Sequence, residues 1–328
     1  MSTEFTIIGL GQIGTSIGLA LANQKPPIHR TGNDLEPEFG RKAQKMGAVD
    51  QVVYNIPRSV KAADVVILAC PVDELRENLK AIAEDLRPGA VVINTAPVRV
   101  AVDAWAKEIL PADRHFISIT PTLNAAYLED TTTNGPDSAH ADLFKDALMV
   151  ITTPPGTHPD ALRLATDLTS LLGAKPYFAD PIEADGLLAA SHILPELMAA
   201  ALVNATIDEP GWIEGRKLAG QAYTSVTGPL LRIDESKIFG TTALLNRDNV
   251  LRTIDNLIRA LYNLRTLIEE QDGEALNKLI FHAMDGRARW WAERKSGDWD
   301  RSQGPSVPTG GQMLGRLVGF GPKDKAKK

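Results

Sequence analysis

Phe5-Thr6-Ile7-Ile8-Gly9-Leu10-Gly11-Gln12-Ile13-Gly14 runs directly into Thr15-Ser16-Ile17-Gly18-Leu19-Ala20-Leu21-Ala22. A short apolar run of the kind that forms a buried strand meets G-x-G-x-x-G, and apolar residues at helical spacing begin at once. Each glycine at that junction meets a separate physical demand. Gly9 makes the tight turn, Gly11 lets main chain approach a pyrophosphate, and Gly14 lets helix and strand pack closely. The phosphates would rest on the free N–H groups at the positive end of the helix, with Gln12 and Ile13 in the same cofactor-binding turn. A bare G-x-G-x-x-G is a weak signal, but this one lies where the strand-to-helix mechanism needs it. An ordinary tight turn is the competing reading.

Ile28-His29-Arg30-Thr31-Gly32-Asn33-Asp34 then reads as a second strand ending in an acid, 25 residues beyond Gly9. A carboxylate there accepts hydrogen bonds from ribose hydroxyls and repels a 2′-phosphate. Leu35, Glu36 and Pro37 follow, so no arginine directly after Asp34 invites that phosphate. NAD is favoured over NADP, with Arg30 and Arg41 near enough in sequence to keep NADP possible.

At 328 residues the chain exceeds one usual domain, and 44% hydrophobic with 23% charged residues fits a globular protein with a substantial core. A net charge of −6 argues against nucleic acid or an anionic membrane as the main partner. No apolar run approaches the ~20 residues of a membrane span. The beginning of the chain lacks a basic segment before an apolar core, so no secretory signal is expected. One cysteine makes no internal disulfide, and six histidines show no metal-ligand spacing. A cytoplasmic protein without a metal is the expectation.

Strand and helix patterns alternate through the first half. Asp64–Ala69 is a continuous apolar run suited to a strand buried on both faces. Asp73–Leu86 has helical spacing, with Leu75, Leu79, Ile82 and Leu86 on one side. Ala90–Asn94 reads as a strand, Val98–Leu110 as a helix and Phe116–Ile119 as another strand. Thr131–Asp137 reads as a surface loop, Ala147–Thr152 as a strand, Pro159–Leu172 as a helix and Pro176–Ala179 as a last short strand. Such alternation predicts an α/β fold with a doubly wound parallel sheet, whose ligands bind beyond the carboxyl ends of the strands. That rule nominates Cys70, Pro71, Asn94 and Thr95 as cofactor-binding residues and Ser118–Asn124 as cleft lining.

The character changes at Asp180-Pro181-Ile182-Glu183, a capping acid, a proline at the first helical position and a glutamate three residues past the cap. From there to about Arg294 the chain reads as almost wholly helical. Asn249–Glu270 carries a wide apolar stripe, which suggests a homodimer interface; a monomeric helical bundle is the alternative. The expected organisation is a dinucleotide-binding domain over 1–180, a helical substrate and dimerisation domain over 181–295, and a mobile tail over 296–328 rich in glycine, proline and lysine.

These motifs together resemble the prephenate dehydrogenase family, including arogenate dehydrogenases, over about residues 5–285. Carrying the resemblance are Gly9–Leu21, Asp64–Leu75, Leu86–Asn94, Ala141–Thr152, Ser191–Ala205 and Leu244–Asp255. More specific than the glycine turn is the Ala141-Asp142-Leu143-Phe144 segment followed by Ser191-His192-x-x-Pro195. The resemblance implies a homodimer with an N-terminal Rossmann domain and an all-helical C-terminal dimerisation domain. It implies NAD(P)-dependent oxidation and decarboxylation of prephenate or arogenate, on the route to tyrosine.

Three departures accompany it. The family pattern places a histidine–proline pair after the strand at Phe116–Ile119, where its histidine accepts a hydrogen bond from the substrate hydroxyl. Here the pair is Thr120-Pro121. The family's serine and lysine after Ala90–Asn94 correspond to Pro97 and Arg99, and its substrate-carboxylate arginine to Val226.

Hydride transfer needs a group to take the alcohol proton, and a diacid substrate needs cations. His192 is the candidate proton acceptor, with Pro195 one turn on opening the helix locally; a satisfied core or helix-surface histidine is the competing reading. Thr120 is the second catalytic candidate, as a hydrogen-bonding partner and a poor base. Asn124, Tyr223 and Arg99 are candidate substrate contacts. Arg232 is a further possible carboxylate clamp. Cys70 reads as a buried, unreactive thiol.

Two alternatives stand beside the prephenate-type enzyme with an altered active site. One is a dehydrogenase of a different small carboxylated alcohol, and the other a dinucleotide-binding dimer without turnover. A 3-hydroxyacid dehydrogenase is disfavoured, because such enzymes use a lysine on the first interdomain helix and Pro181–Ala205 has none.

Overall fold

A computed structural model describes residues 3–130, 135–154, 156–232 and 236–297 together with Trp299. Residues 131–134 of the expected loop and most of the expected tail lie outside the described residues. The Arg232 side chain does as well.

Eight strands form one sheet in the order β3-β2-β1-β4-β5-β6-β7-β8. They are β1 (Thr3–Ile8), β2 (Ile28–Asn33), β3 (Gln51–Val52), β4 (Val65–Leu68), β5 (Val91–Asn94), β6 (His115–Pro121), β7 (Leu148–Thr152) and β8 (Lys175–Phe178). Helices α1 (Gln12–Leu21), α2 (Pro37–Lys45), α3 (Ile56–Val60), α4 (Val72–Ala83), α5 (Val100–Ile109) and α6 (Pro159–Leu171) connect them. This is the doubly wound α/β arrangement that the alternating pattern predicts.

Burial explains the apolar runs. All four residues of β4 are buried, because side chains alternate across a sheet covered on both faces. Val65 and Ile67 join Ile17 and Leu21 of α1 and Leu168 of α6 in one layer. Val66 and Leu68 join Leu75, Leu79 and Ile82 of α4 and Val102 of α5 in the other. Truncating a fully enclosed residue such as Ile67 to alanine costs about 2–5 kcal/mol.

The sheet is not parallel throughout, and here the expectation is corrected. β6 and β7 pair antiparallel, Ser118 opposite Thr152 and Pro121 opposite Met149. Among the described residues no α-helix lies between β6 and β7 to return the chain to the starting edge, and β7 enters from the end at which β6 leaves. α6 restores a parallel crossover from β7 to β8.

Helices follow β8: α7 (Pro181–Leu188), a wide π-type turn (Ala189–Ile193), α8 (Leu194–Asn204), α9 (Trp212–Leu218), α10 (Gln221–Thr227), α11 (Ser236–Leu245), α12 (Arg247–Glu269) and α13 (Gly273–Ser296). The Asp180 side chain caps α7 by accepting from the Ile182 amide at 2.8 Å. A second correction concerns length: Pro181–Asn204 is one helical run long and apolar enough to cross a membrane by length and composition. Scanning for uninterrupted apolar residues misses it, because Glu183, Asp185, His192 and Glu196 break the run. Ala189 and Ile193 of this run are buried with Val250 of α12 in a small core.

The chain divides into two compact units, residues 1–272 and 273–328. In the second, Arg287 of α13 stacks over Trp290 and Trp291, each 4.8 Å from its guanidinium carbon. In the first, α12 leaves Leu251, Ile258, Leu261, Tyr262 and Ile268 exposed.

Candidate active site

From β1 the sheet extends one way through β2 and the other way through β4. At that division the carboxyl ends of the strands open on a cleft of about 760 Å³. Gly9, Gly11, Asp34, Glu36, Cys70 and Pro71 line it. Gly9 has φ +92°, and an added Cβ would lie 2.5 Å from the Ala69 carbonyl oxygen. A Cβ on Gly14 would lie 1.9 Å from the Gly9 carbonyl oxygen. Both positions admit only glycine, one for its backbone angle and the other for close packing.

Gly11 precedes α1 with no side chain capping the helix and no acid in its first turn. The opening amides therefore face the cleft side of the turn without a side-chain competitor, as an anion site requires. Asp34, just past β2, is clamped by the main chain. Its Oδ2 accepts from the Leu10 amide at 2.6 Å and its Oδ1 from the Glu36 amide at 2.7 Å. A carboxylate has about four acceptor positions, so lone pairs remain for ribose hydroxyls. Glycine turn, uncapped helix and fixed acid together fit a dinucleotide.

Arg30 serves the fold instead of a phosphate. It is buried, donating to Asp50 Oδ1 at 2.7 Å and to the Gly18 and Gly47 carbonyls at 2.9 Å each. The Arg41 side chain, on α2, is exposed.

The remaining cofactor candidates divide by position. Gly9, Gly11, Asp34, Cys70 and Pro71 line the cleft. Ile13 packs against the core, and Gln12 donates from Nε2 to the Ser138 carbonyl at 3.0 Å. Asn94 is fully enclosed, with Nδ2 3.3 Å from Ser118 Oγ and Oδ1 accepting from the Ala96 amide. Thr95 donates its hydroxyl to the Leu68 carbonyl at 3.2 Å. Burial pushes the Cys70 thiol up to about 12, and Asn78 donates to its sulfur, so it is a protonated, packed thiol.

Beyond β5 and β6 a second cluster forms. Thr120 is buried and donates to the Ala96 carbonyl at 3.1 Å, and Arg99 Nη1 donates to the same oxygen at 2.9 Å. Arg99 has no exposed surface, and its Nε and Nη2 lack hydrogen-bond partners. The amides of Arg99 and Val100 donate to the two carboxylate oxygens of Asp185, at 2.7 and 3.0 Å. Asp185 of α7 thereby caps α5 and ties the first helix after the sheet to the end of β5. Burial lowers the Arg99 pKa to about 10, and burial raises that of Asp103 to about 6.

His192 lies in the π-type turn, exposed in the single chain. The Leu194 amide bonds there to the Ala189 carbonyl, five residues back. Pro195 has no N–H to offer the Ser191 carbonyl, which accounts for the widened turn and matches the local opening expected of it. Ser191 Oγ lies 2.8 Å from the Leu187 carbonyl and 2.9 Å from His192 Nδ1. The hydroxyl has one proton, and the Leu187 carbonyl can only accept. Ser191 therefore accepts from His192 Nδ1–H, leaving the ring's lone pair on Nε2. Loss of water on the side of the ring that faces the protein, then the Arg99 charge, lower the His192 pKa below 6.5.

The other substrate candidates are placed separately. Asn124 spends its amide locally, accepting from the Ala126 amide and donating to the Asp142 carbonyl. The Tyr223 hydroxyl lies 2.9 Å from Thr206 Oγ1, and Val226 is half-exposed on α10. Sequence reasoning missed Asp185, although an acid flanked by Ala184 and Leu188 on an apolar helix face was the available signal. It also missed the Gly135–His140 stretch beside the glycine turn, which carries no local motif.

Two family models match in tandem: "Prephenate dehydrogenase, nucleotide-binding domain" over residues 17–178 and "Prephenate dehydrogenase, dimerization domain" over 180–282. The chain is similar to the prephenate dehydrogenase of Bacillus subtilis, with 27% identity over 88% of this chain and 76% of that protein. It is equally similar to the cyclohexadienyl dehydrogenase of Zymomonas mobilis, with 27% identity over 83% and 91%. Its fold matches the crystal structure of prephenate dehydrogenase from A. aeolicus in complex with hydroxyphenyl propionate and NAD+. That match has a TM-score of 0.78 at 22% identity and covers 88% of this chain and 98% of that one.

Proposed function

This chain belongs to the prephenate dehydrogenase family, and we propose that it is an NAD-dependent oxidoreductase that oxidises and decarboxylates prephenate or arogenate, on the route to tyrosine. One observation carries the coenzyme half of the reading: the Gly9 turn and uncapped α1 border a cleft that Asp34 also lines, its carboxylate held by the Leu10 amide of that turn. NAD bound there would supply a nicotinamide that accepts hydride from the substrate's carbinol carbon.

His192 takes the part of proton acceptor in place of the family histidine that Thr120 replaces. Its Nε2 lone pair removes the substrate hydroxyl proton as the carbon–hydrogen bond breaks. The carbonyl so formed draws electrons from the carbon–carboxylate bond, carbon dioxide leaves, and the ring becomes aromatic. Ser191 fixes which ring nitrogen is basic. Arg99 acts from behind, adding its charge to the desolvation that keeps the imidazole neutral rather than touching substrate, because its guanidinium is enclosed. Thr120 keeps an acceptor lone pair after donating to Ala96, and Asn124 and Tyr223 are assigned as substrate contacts.

We place the enzyme in the cytoplasm as a homodimer through the helical half, which we take as a substrate and dimerisation domain from residue 181. The half-exposed or exposed apolar side chains of α12 suit that interface. A dinucleotide-binding dimer without turnover is the second reading, favoured by Thr120 standing where a base belongs. Incubation with NAD and prephenate, then arogenate, with NADH followed by absorbance and product by mass, separates the two. NADH formation with loss of carbon dioxide is expected. Coenzyme binding without turnover of either compound favours the second reading.

A further inference from the structure

The end of the cleft near Asp34 is acidic. Asp34, Glu36, Glu38 and Asp137 line it, and Lys42 is the one basic residue among the described lining residues. The Lys42 ammonium is already engaged. Nζ donates to Asp137 Oδ2 at 2.7 Å and lies 3.3 Å from Glu38 Oε1. Glu38 is on the same helix as Lys42, but Asp137 comes from the Gly135–His140 stretch, far along the chain.

That stretch is pinned beside the glycine turn from two helices. Gln12 Nε2 of α1 donates to the Ser138 carbonyl at 3.0 Å, and the His140 amide donates to Ser16 Oγ at 3.0 Å. The Phe39 ring of α2 lies below Gly135. Asp137 is thus delivered to Lys42 by a tethered segment. An ion pair this exposed contributes little to stability, so the fold does not account for it.

The position matters because a 2′-phosphate, the group that separates NADP from NAD, falls beside the acid that ends β2. A cation near that point is the usual means of accepting it. We propose that Asp137 is a specificity-determining residue for the coenzyme: by holding the Lys42 ammonium, it leaves the described lining at the Asp34 end of the cleft without a free cation for a 2′-phosphate. The two carboxylates that raise the Lys42 pKa keep its charge in place and compensated. The inference rests on the NAD reading above and adds the residue that enforces it from outside the β2–α2 segment.

Fluorescence titration of the full-length protein with NADH and with NADPH tests it in wild type, Asp137→Asn, Lys42→Gln and the double variant. Wild type should bind NADH at least about tenfold more tightly than NADPH. Asp137→Asn should strengthen NADPH binding roughly fivefold while leaving NADH within about twofold. Adding Lys42→Gln should abolish that gain. NADPH affinity unmoved by Asp137→Asn, or a gain that survives Lys42→Gln, would overturn the proposal while the coenzyme reading stands. Wild type that binds neither nucleotide would end both together.

Discussion

The coenzyme end of the site and the end proposed to be catalytic are made of different materials. At the coenzyme end the chain offers backbone: a left-handed Gly9, an uncapped helix start, and an Asp34 carboxylate held by two amides. At the catalytic end it offers side chains whose properties depend on neighbours far away in sequence. Arg99 is enclosed beside Asp185 of a later helix, and His192 depends on Ser191 and a turn widened by Pro195. A backbone cradle tolerates almost any side chain around it. A proton acceptor does not, because its tautomer, charge and position are each set by separate residues.

The contrast is broken most sharply at His192. His192→Gln keeps the shape but has no basic nitrogen, and turnover should fall about 10²–10⁴-fold with NADH affinity unchanged. Comparable loss of NADH binding would mean that the two ends are not separable. The wild-type pH profile should agree in sign. A depressed His192 pKa keeps the ring neutral at pH 7, so the acid limb of log kcat/KM should bend below pH 6.5.

Ser191→Ala should have a smaller effect, roughly tenfold on kcat, because the ring remains and only its tautomer is freed. Nitrogen NMR of labelled histidine gives the decisive readout. Wild type should show Nδ1 protonated and Nε2 bare, the alanine variant a mixture, and Ser191→Thr the wild-type pattern. An unchanged tautomer in the alanine variant would remove Ser191 from the account.

The smallest expected effect is on stability. Burial raises the Asp103 carboxyl to about 6 from 3.8, so its ionised form opposes folding. That cost is absent below about pH 4 and complete above about pH 6. Asp103→Asn should raise Tm by about 2–4 °C at pH 8 and leave it near wild type at pH 4. An equal shift at both pH values would argue against a buried charge.

What the sequence disclosed follows the same division. Gly9, Gly11, Gly14 and Asp34 were legible because a turn's backbone demands act over a few residues and leave a fixed spacing. The buried strands were legible from apolar runs alone. The antiparallel sense of β7 was not, since it depends on how residues 122–147 travel and not on their periodicity. Nor was the enclosure of Arg99, which the sequence offered as a carboxylate clamp: its backbone amide is held by Asp185, 86 residues away. Lys42 and Asp137 are 95 residues apart and carry no motif between them.

The most direct test of the account is a calorimetric titration of NADH into wild type and Gly9→Val. A Cβ at residue 9 collides with the Ala69 carbonyl in a backbone conformation that valine avoids. Wild type should bind one NADH per chain with a micromolar Kd, and the valine variant, if still folded by circular dichroism, should give no heat. Equal binding by a folded valine variant, or no heat from wild type, would contradict a coenzyme held by that turn.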